Sequence, residues 1–282
     1  MPEVIQLKTK KSFWKRQFIV IIIAVVLTTV GIKASDYVFN SDGEIMGVEE
    51  GCEEGMVFVP FAGGDFCVDK YEASPGFKCQ HFNPQNQIES RDNLDFQACI
   101  PVSQAGAMPW RNISQDQAVM ACAKAGKRLP TYEEWFAAAL GTPDPDFGWD
   151  QDDCQVNQNW DQQPGKTGSG KNCLSGANAY DMIGNVWEWV AGTVKDGDFN
   201  GRKLPKSGYI DSTDGNSMPG ATNANEPNPN YNEDYAWIKD NGLKAIARGG
   251  FWDNKSEAGQ YSVYIETSPS FAGSGIGFRC VK

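Results

Sequence analysis

Eight cysteines, Cys52, Cys67, Cys79, Cys99, Cys122, Cys154, Cys173 and Cys280, constrain this 282-residue chain more than any hydrophobic pattern in it. They form an even set with no CxxC pair, and His81 is the only histidine. A zinc finger, a His-rich metal site and the two-His-one-carboxylate iron centre of oxygenases are therefore excluded. Between free thiols and disulfides, the compartment decides.

The N-terminus speaks to the compartment. Lys8, Lys10, Lys11, Lys15 and Arg16 precede an apolar run from Phe18 to Ile32, a basic flank before a membrane-inserting segment. The run is short, since roughly 20 apolar residues cross a ~30 Å hydrocarbon core, but Lys33 can snorkel and Trp14 and Tyr37 can sit at the interfaces. An uncleaved anchor with the cytoplasm inside is one reading and a signal peptide cut after Ala34 the other; Ile32 at the −3 position favours the anchor. This gives a cytoplasmic basic tail over 1–17, an anchor or signal segment over 18–34, an acidic stalk over 35–51 and one folded domain over 52–282. The expected location is the cell membrane, single-pass, with the C-terminal domain extracytoplasmic, where disulfides are the default state of the cysteines. The net charge of −11 argues against a nucleic-acid partner, because phosphate binding needs clustered Lys and Arg.

Within the domain, "MVFVPFAGGDFCVDKYEAS" alternates apolar positions around Gly63-Gly64 and predicts a β-hairpin. Residues 75–108 are rich in Asn, Gln and Pro with little periodicity and read as a long loop. Ser114 caps a helix carrying Ala118, Val119 and Cys122 and stopping at Gly126; Thr131 and Glu134 make a capping box for a second helix ending at Gly141. Residues 142–178 and 197–233 read as irregular, and loops of that length need fixing by disulfides, metal ions or function. Short strand-like pieces, "AIARGGFW", "QYSVYIE" and "GIGFRCV", close the chain.

Four motifs stand in order: "GKRLPTYEEW" (126–135), "YDMIGNVWEWV" (180–190), "RGGFW" (248–252) and "GFRCV" (277–281). Together they resemble the formylglycine-generating enzyme, or sulfatase-modifying factor, family, over roughly residue 55 to the C-terminus. The resemblance implies an α+β, C-type-lectin-like fold, loop-rich, with two helices and small twisted sheets. It also implies a disulfide between Cys122 and Cys280; adjacent loop closures then suggest Cys154 with Cys173 and Cys79 with Cys99, leaving Cys52 with Cys67.

In "YDMIGNVWEWV" the two indoles of Trp187 and Trp189 alternate with Glu188, so a strand would bury them and present the carboxylate on its other side. The family binds calcium through this segment, and the resemblance implies structural Ca²⁺ held by the side chains of Asp181 and Glu188 and the carbonyls of Gly184 and Val186, oxygen donors suited to that ion. The alternative is that Glu188 pairs with an arginine, Arg248 or Arg279.

The family's enzymes carry two cysteines after the "RGG" motif that hold copper, a soft metal matched to thiolate. Asn254 and Gly259 occupy those positions here, so no copper is expected and the family's catalytic residues are absent. The single histidine equally disfavours iron-dependent sulfoxide chemistry. The segment from Gly249 onward instead resembles the C-terminal region of proteins varied by diversity-generating retroelements, in which a fixed frame displays a ligand-binding face. The expected contact residues are Trp252, Asp253, Asn254, Ser256, Glu257, Gln260, Ser262, Tyr264 and Glu266, residue types suited to an adaptable surface. Alternation should set Ser262, Tyr264 and Glu266 against Tyr261, Val263 and Ile265, with the first set toward the ligand. The function expected is that of a membrane-anchored binding or display protein for a protein or cell-surface ligand. An enzyme of the same superfamily with unrecognised chemistry, or a structural surface component, are the alternatives.

Overall fold

Three polar side chains start the three α-helices among the described residues. In the computed structural model, which describes residues 51–144, 147–215 and 217–282, Ser114 accepts from the Gln117 amide at the head of one helix and Thr131 from the Glu134 amide at the head of another. In both, the N3 side chain returns a bond to the cap, a reciprocal arrangement that satisfies two otherwise orphan donors. These helices, α2 (Gln115–Lys124) and α3 (Tyr132–Ala139), follow the sequence reading. The first, α1 (Gln87–Asp95), does not: it lies inside the stretch read as loop, and two helices become three. Its signal is Asn86, whose side chain accepts from the amides of Ile88 and Glu89. With a polar composition and only Ser90, Asn93 and Leu94 buried, α1 lacks the apolar periodicity that would reveal it; capping and tertiary contacts hold it.

The strands are short and mostly paired by hairpins. β1 (Met56–Val59) and β2 (Phe66–Asp69) form the expected hairpin, and β3 (Ala73–Pro75) pairs with β4 (Pro101–Ser103). The other nine strands make one curled sheet rather than several small ones. Its axis is β5 (Trp187–Lys195), flanked by β11 (Leu243–Arg248) running antiparallel and β13 (Ile276–Phe278) running parallel. Beyond β11 come β12 (Val263–Ile265), β10 (Tyr235–Ile238), β8 (Gly208–Thr213) and β9 (Pro219–Asn223), and at the other end β6 (Asp198–Phe199) and β7 (Arg202–Lys203). Four of these strands fall in the polar stretch 197–233. Their partners supply the ordering that composition concealed.

The sheet carries a core on each face. Trp135, Met182, Val190, Ile246, Val263 and Ile265 pack with α3 on one side; Trp110, Ile113, Trp189, Phe278 and Cys280 pack with α1 and α2 on the other. Four disulfides join Cys52 to Cys67, Cys79 to Cys99, Cys122 to Cys280 and Cys154 to Cys173, the pairs named from the sequence. Cys122–Cys280 ties α2 to the C-terminal segment. The α+β class and the curled sheet are consistent with a C-type-lectin-like arrangement. The basic tail, the apolar segment and residues 35–50 of the stalk lie outside the described residues. Among the described residues no helix is long and apolar enough to cross a membrane.

Candidate functional site

Glu188 and Arg279 form a buried ion pair at the centre of the domain. Alternation along β5 sends Trp187 and Trp189 to one core and turns Glu188 to the other face, where the Arg279 Nε donates to both of its oxygens at 2.9 and 2.7 Å and Nη2 donates to Oε1 at 2.6 Å. The Trp135 indole N–H donates to Oε2 at 2.6 Å. The remaining guanidinium donors reach the carbonyls of Asp69 (2.9 Å) and Tyr180 (2.8 Å). Both side chains are almost wholly shielded, at 0% and 1% exposure. Burial pulls the Arg279 pKa down, but the charge and hydrogen bonds of Glu188 outweigh it and the net shift is upward.

Two more acids stand beside this pair. Glu72 accepts from the Asn185 side chain at 2.6 Å and the Val186 amide at 3.3 Å; burial, then the negative charges of Asp181 and Glu188, push its pKa well up. Asp181 Oδ2 accepts from the Gly168 amide at 2.6 Å, while its buried Oδ1 has no hydrogen-bond partner. Burial pushes the Asp181 carboxyl up to about 7. For calcium, the Asp181 oxygen is a fitting donor, but both Glu188 oxygens are already held by Arg279 and Trp135. Among the described residues no group of three or more His, Cys, Asp or Glu is arranged to hold a metal ion. In this arrangement Asp181 Oδ1 is open to a cation, while Glu188 is engaged by Arg279 and Trp135. Glu72 was not legible as a member of this group, because nothing in its local sequence separates it from a surface acid.

The position of the missing thiols is equally filled. Asn254 Oδ1 accepts from the Phe251 amide at 2.9 Å, fixing the turn after the double glycine. At Gly259 there is no room for a side chain: an added Cβ would stand 1.9 Å from Asp234 Oδ1 and 2.4 Å from Asp144 Oδ2. Asp234 is fully buried, with Oδ2 accepting from the Tyr261 amide at 2.6 Å. Burial and the neighbouring Asp144 push its pKa well up. Arg248, also fully buried, lies over the Trp135 ring at 5.2 Å and donates to the Gln260 carbonyl at 2.8 Å; burial brings its pKa down to about 10.

The expected contact residues divide. Asp253 is exposed, and Trp252, Asn254, Ser256, Glu257, Gln260, Tyr264 and Glu266 are half-buried along the surface. Ser262 is a correction: it is fully buried, its hydroxyl donating to the Glu257 carbonyl, so it belongs to the frame. From 263 onward the alternation holds, with Val263 and Ile265 in the core and Tyr264 and Glu266 outward. Register then adds residues the linear reading missed. Trp237 on β10 lies beside Tyr264, and Tyr235 beside Tyr209 on β8. The alternation of "YAWI", with Ala236 and Ile238 inward, was the available signal.

Residues 64–282 match the family described as Sulfatase-modifying factor enzyme 1-like domain. Two curated relatives carry the description Inactive C-alpha-formylglycine-generating enzyme 2. That from Bos taurus is 35% identical over 124 residues, covering 39% of this chain and 41% of the relative; that from Mus musculus is 34% identical over 125 residues, covering 39% and 40%. The chain thus spans about two fifths of the length of the relatives it matches. Among solved structures, a Major Tropism Determinant I1 variant aligns at 18% identity over 82% of this chain and 52% of its own, with a TM-score of 0.44. Treponema denticola variable protein 1 aligns at 15% over 80% and 98%, with a TM-score of 0.41.

Proposed function

Because the chain belongs to the family of sulfatase-modifying factor enzyme 1-like domains, we propose that it uses the family frame to bind a ligand and not to oxidise one. The observation that carries this is the loss of both thiol positions in space as well as in sequence. Asn254 is tied into a turn, Gly259 abuts two carboxylates, and all eight cysteines are in disulfides. The curated relatives described as inactive support the same reading. In it, the surface from Trp252 to Glu266 is the contact face, held rigid from beneath by Arg248, Asp234 and Ser262. The N-terminal apolar segment tethers the domain to the membrane, facing outward toward a protein or cell-surface ligand.

The test is to sequence the last coding stretch of this gene across many cells of its source population. Substitutions confined to Asp253, Ser256, Gln260, Tyr264 and Glu266, with Gly250, Val263, Ile265 and Arg279 unchanged, are expected of a varied binding face. A uniform sequence, or changes spread equally into Val263 and Ile265, would sink the reading. Intact-mass alkylation addresses the enzymatic alternative directly: the unreduced, denatured protein is expected to take up no iodoacetamide, and two adducts would return the thiols to consideration.

A further inference from the structure

The outer face of the sheet beyond β11 carries a continuous aromatic strip. Tyr209 meets Tyr235 edge-on with ring centres 5.1 Å apart, Tyr235 meets Trp237 at 4.7 Å, Trp237 meets Trp187 at 5.3 Å, and Trp187 meets Tyr264 at 5.7 Å. Trp187 is buried, but the other four rings are half-exposed. At the Tyr264 end the strip opens into a pocket of about 330 Å³, walled by Trp187, Phe251, Tyr264, Phe271 and Ile276. Half-exposed aromatics in a row on a sheet normally find a cover, and α1 and α2, which pack against the same core, leave these four rings partly exposed.

The charge around the strip selects the cover. Glu257 accepts from the Tyr209 hydroxyl at 3.5 Å and is half-buried. Glu266 projects beside Tyr264 on the same face, with Lys239 3.4 Å away. Burial first, then the charges of Glu257 and Glu266, raise the Tyr235 phenol. Aromatic faces are negative and attract cations, more strongly where water is excluded; two carboxylates at the rim add to the same sign, in a chain of net charge −11.

Resting on the proposed binding role of this face, we propose that the strip receives a cationic side chain of a protein partner, a guanidinium stacked on Trp237 and Tyr264 and neutralised by Glu257 and Glu266. Lys239 is the built-in competitor: it occupies Glu266 and repels the incoming charge. The planar guanidinium fits better than an ammonium, because it stacks on rings and donates to carboxylates in the same plane.

The experiment titrates blocked tetra-arginine into the full-length protein at about 0.3 M salt, which screens long-range attraction between unpaired charges, and follows tryptophan fluorescence. Wild type is expected to bind. Glu257→Gln and Trp237→Leu should each weaken binding about five- to tenfold, the scale of one desolvated cation–ring or charge contact. Lys239→Ala should tighten it, and tetra-serine should not bind. A circular-dichroism melt of each variant separates loss of binding from loss of fold, and Tyr235→Leu replaces Trp237→Leu should that variant unfold. Failure of tetra-arginine to bind, or equal binding by Trp237→Leu and Glu257→Gln, overturns the proposal. If it fails while the population sequences vary at the face, the cationic ligand is wrong and the binding role stands. If it fails and the face is invariant, both fall.

Discussion

Replacing Glu188 by alanine is expected to lower stability by about 3–5 kcal/mol, the cost of stranding one member of a buried ion pair. The structure shows why the effect falls in that range. Arg279 is fully shielded and directs Nε and Nη2 at the Glu188 carboxylate, so the substitution leaves a buried cation with neutral backbone carbonyls, those of Asp69, Tyr180 and Asp181, as its hydrogen-bond partners. The Trp135 indole loses its acceptor as well, and an unsatisfied buried donor costs about 1–3 kcal/mol by itself. Asp181, beside Arg279, opposes the loss: freed from the repulsion of Glu188, it can ionise and replace part of the missing charge. The lower end of the range is therefore expected near pH 7, and for a domain of this size the melting temperature should fall by on the order of 10 °C. Differential scanning calorimetry, run with calcium and with chelator, measures it. Because Arg279 and Trp135 already hold both carboxylate oxygens, the two drops should be equal. Glu188→Gln, which keeps an acceptor for Trp135, should lose less, and Glu188→Leu with Arg279→Met should recover most of the stability. A drop below about 2 °C, or one seen only with calcium present, would refute the reasoning.

Three other outcomes concern Asp181, the packing at Gly259 and the disulfides. Asp181 has its carboxyl raised to about 7 against about 3.9 in an unfolded chain, so its stabilising contribution is complete below pH 4 and is lost as pH rises through 7. Asp181→Asn should accordingly flatten the decline in urea midpoint between pH 4 and 7, and an unchanged slope would contradict the assignment. Gly259→Ala should cost about 2 kcal/mol in a urea titration, because buried Asp234, held at Oδ2 by the Tyr261 amide, must shift to admit the methyl; a neutral result would mean that the site has room for a thiol after all. Removing Cys122–Cys280, with its sequence separation of 158, should cost about 5 kcal/mol, and removing Cys154–Cys173, with its separation of 19, about 3, if loop closure in the unfolded chain dominates. Melting temperatures of the two double-alanine variants test the order.

Features that rest on local chemistry were legible along the chain before any fold was known. Ser114 and Thr131 with their N3 partners fixed two helix starts, Gly63-Gly64 marked the first hairpin, and the indoles around Glu188 announced a strand with one carboxylate turned away from them. The order of four motifs carried the family, and with it the Cys122–Cys280 pair; adjacent loop closures suggested Cys154–Cys173 and Cys79–Cys99 and left Cys52 with Cys67. Helix α1 escaped because its cap, Asn86, precedes a polar stretch with almost no apolar face. The strands of 197–233 escaped because two to six residues set their register only against partners. Tertiary structure alone decided the rest. It chose Arg279 over Arg248 as the partner of Glu188: Arg248 is registered opposite Glu188 on β11, yet its guanidinium turns to the Gln260 carbonyl and the Trp135 ring, whereas Arg279, just past β13, brings Nε and Nη2 to the carboxylate. It buried Ser262 and assembled Tyr209, Tyr235, Trp237 and Tyr264, from three strands, into one face. Which charges meet, and which side chains share a surface, are relations between segments distant along the chain, and no local pattern encodes them.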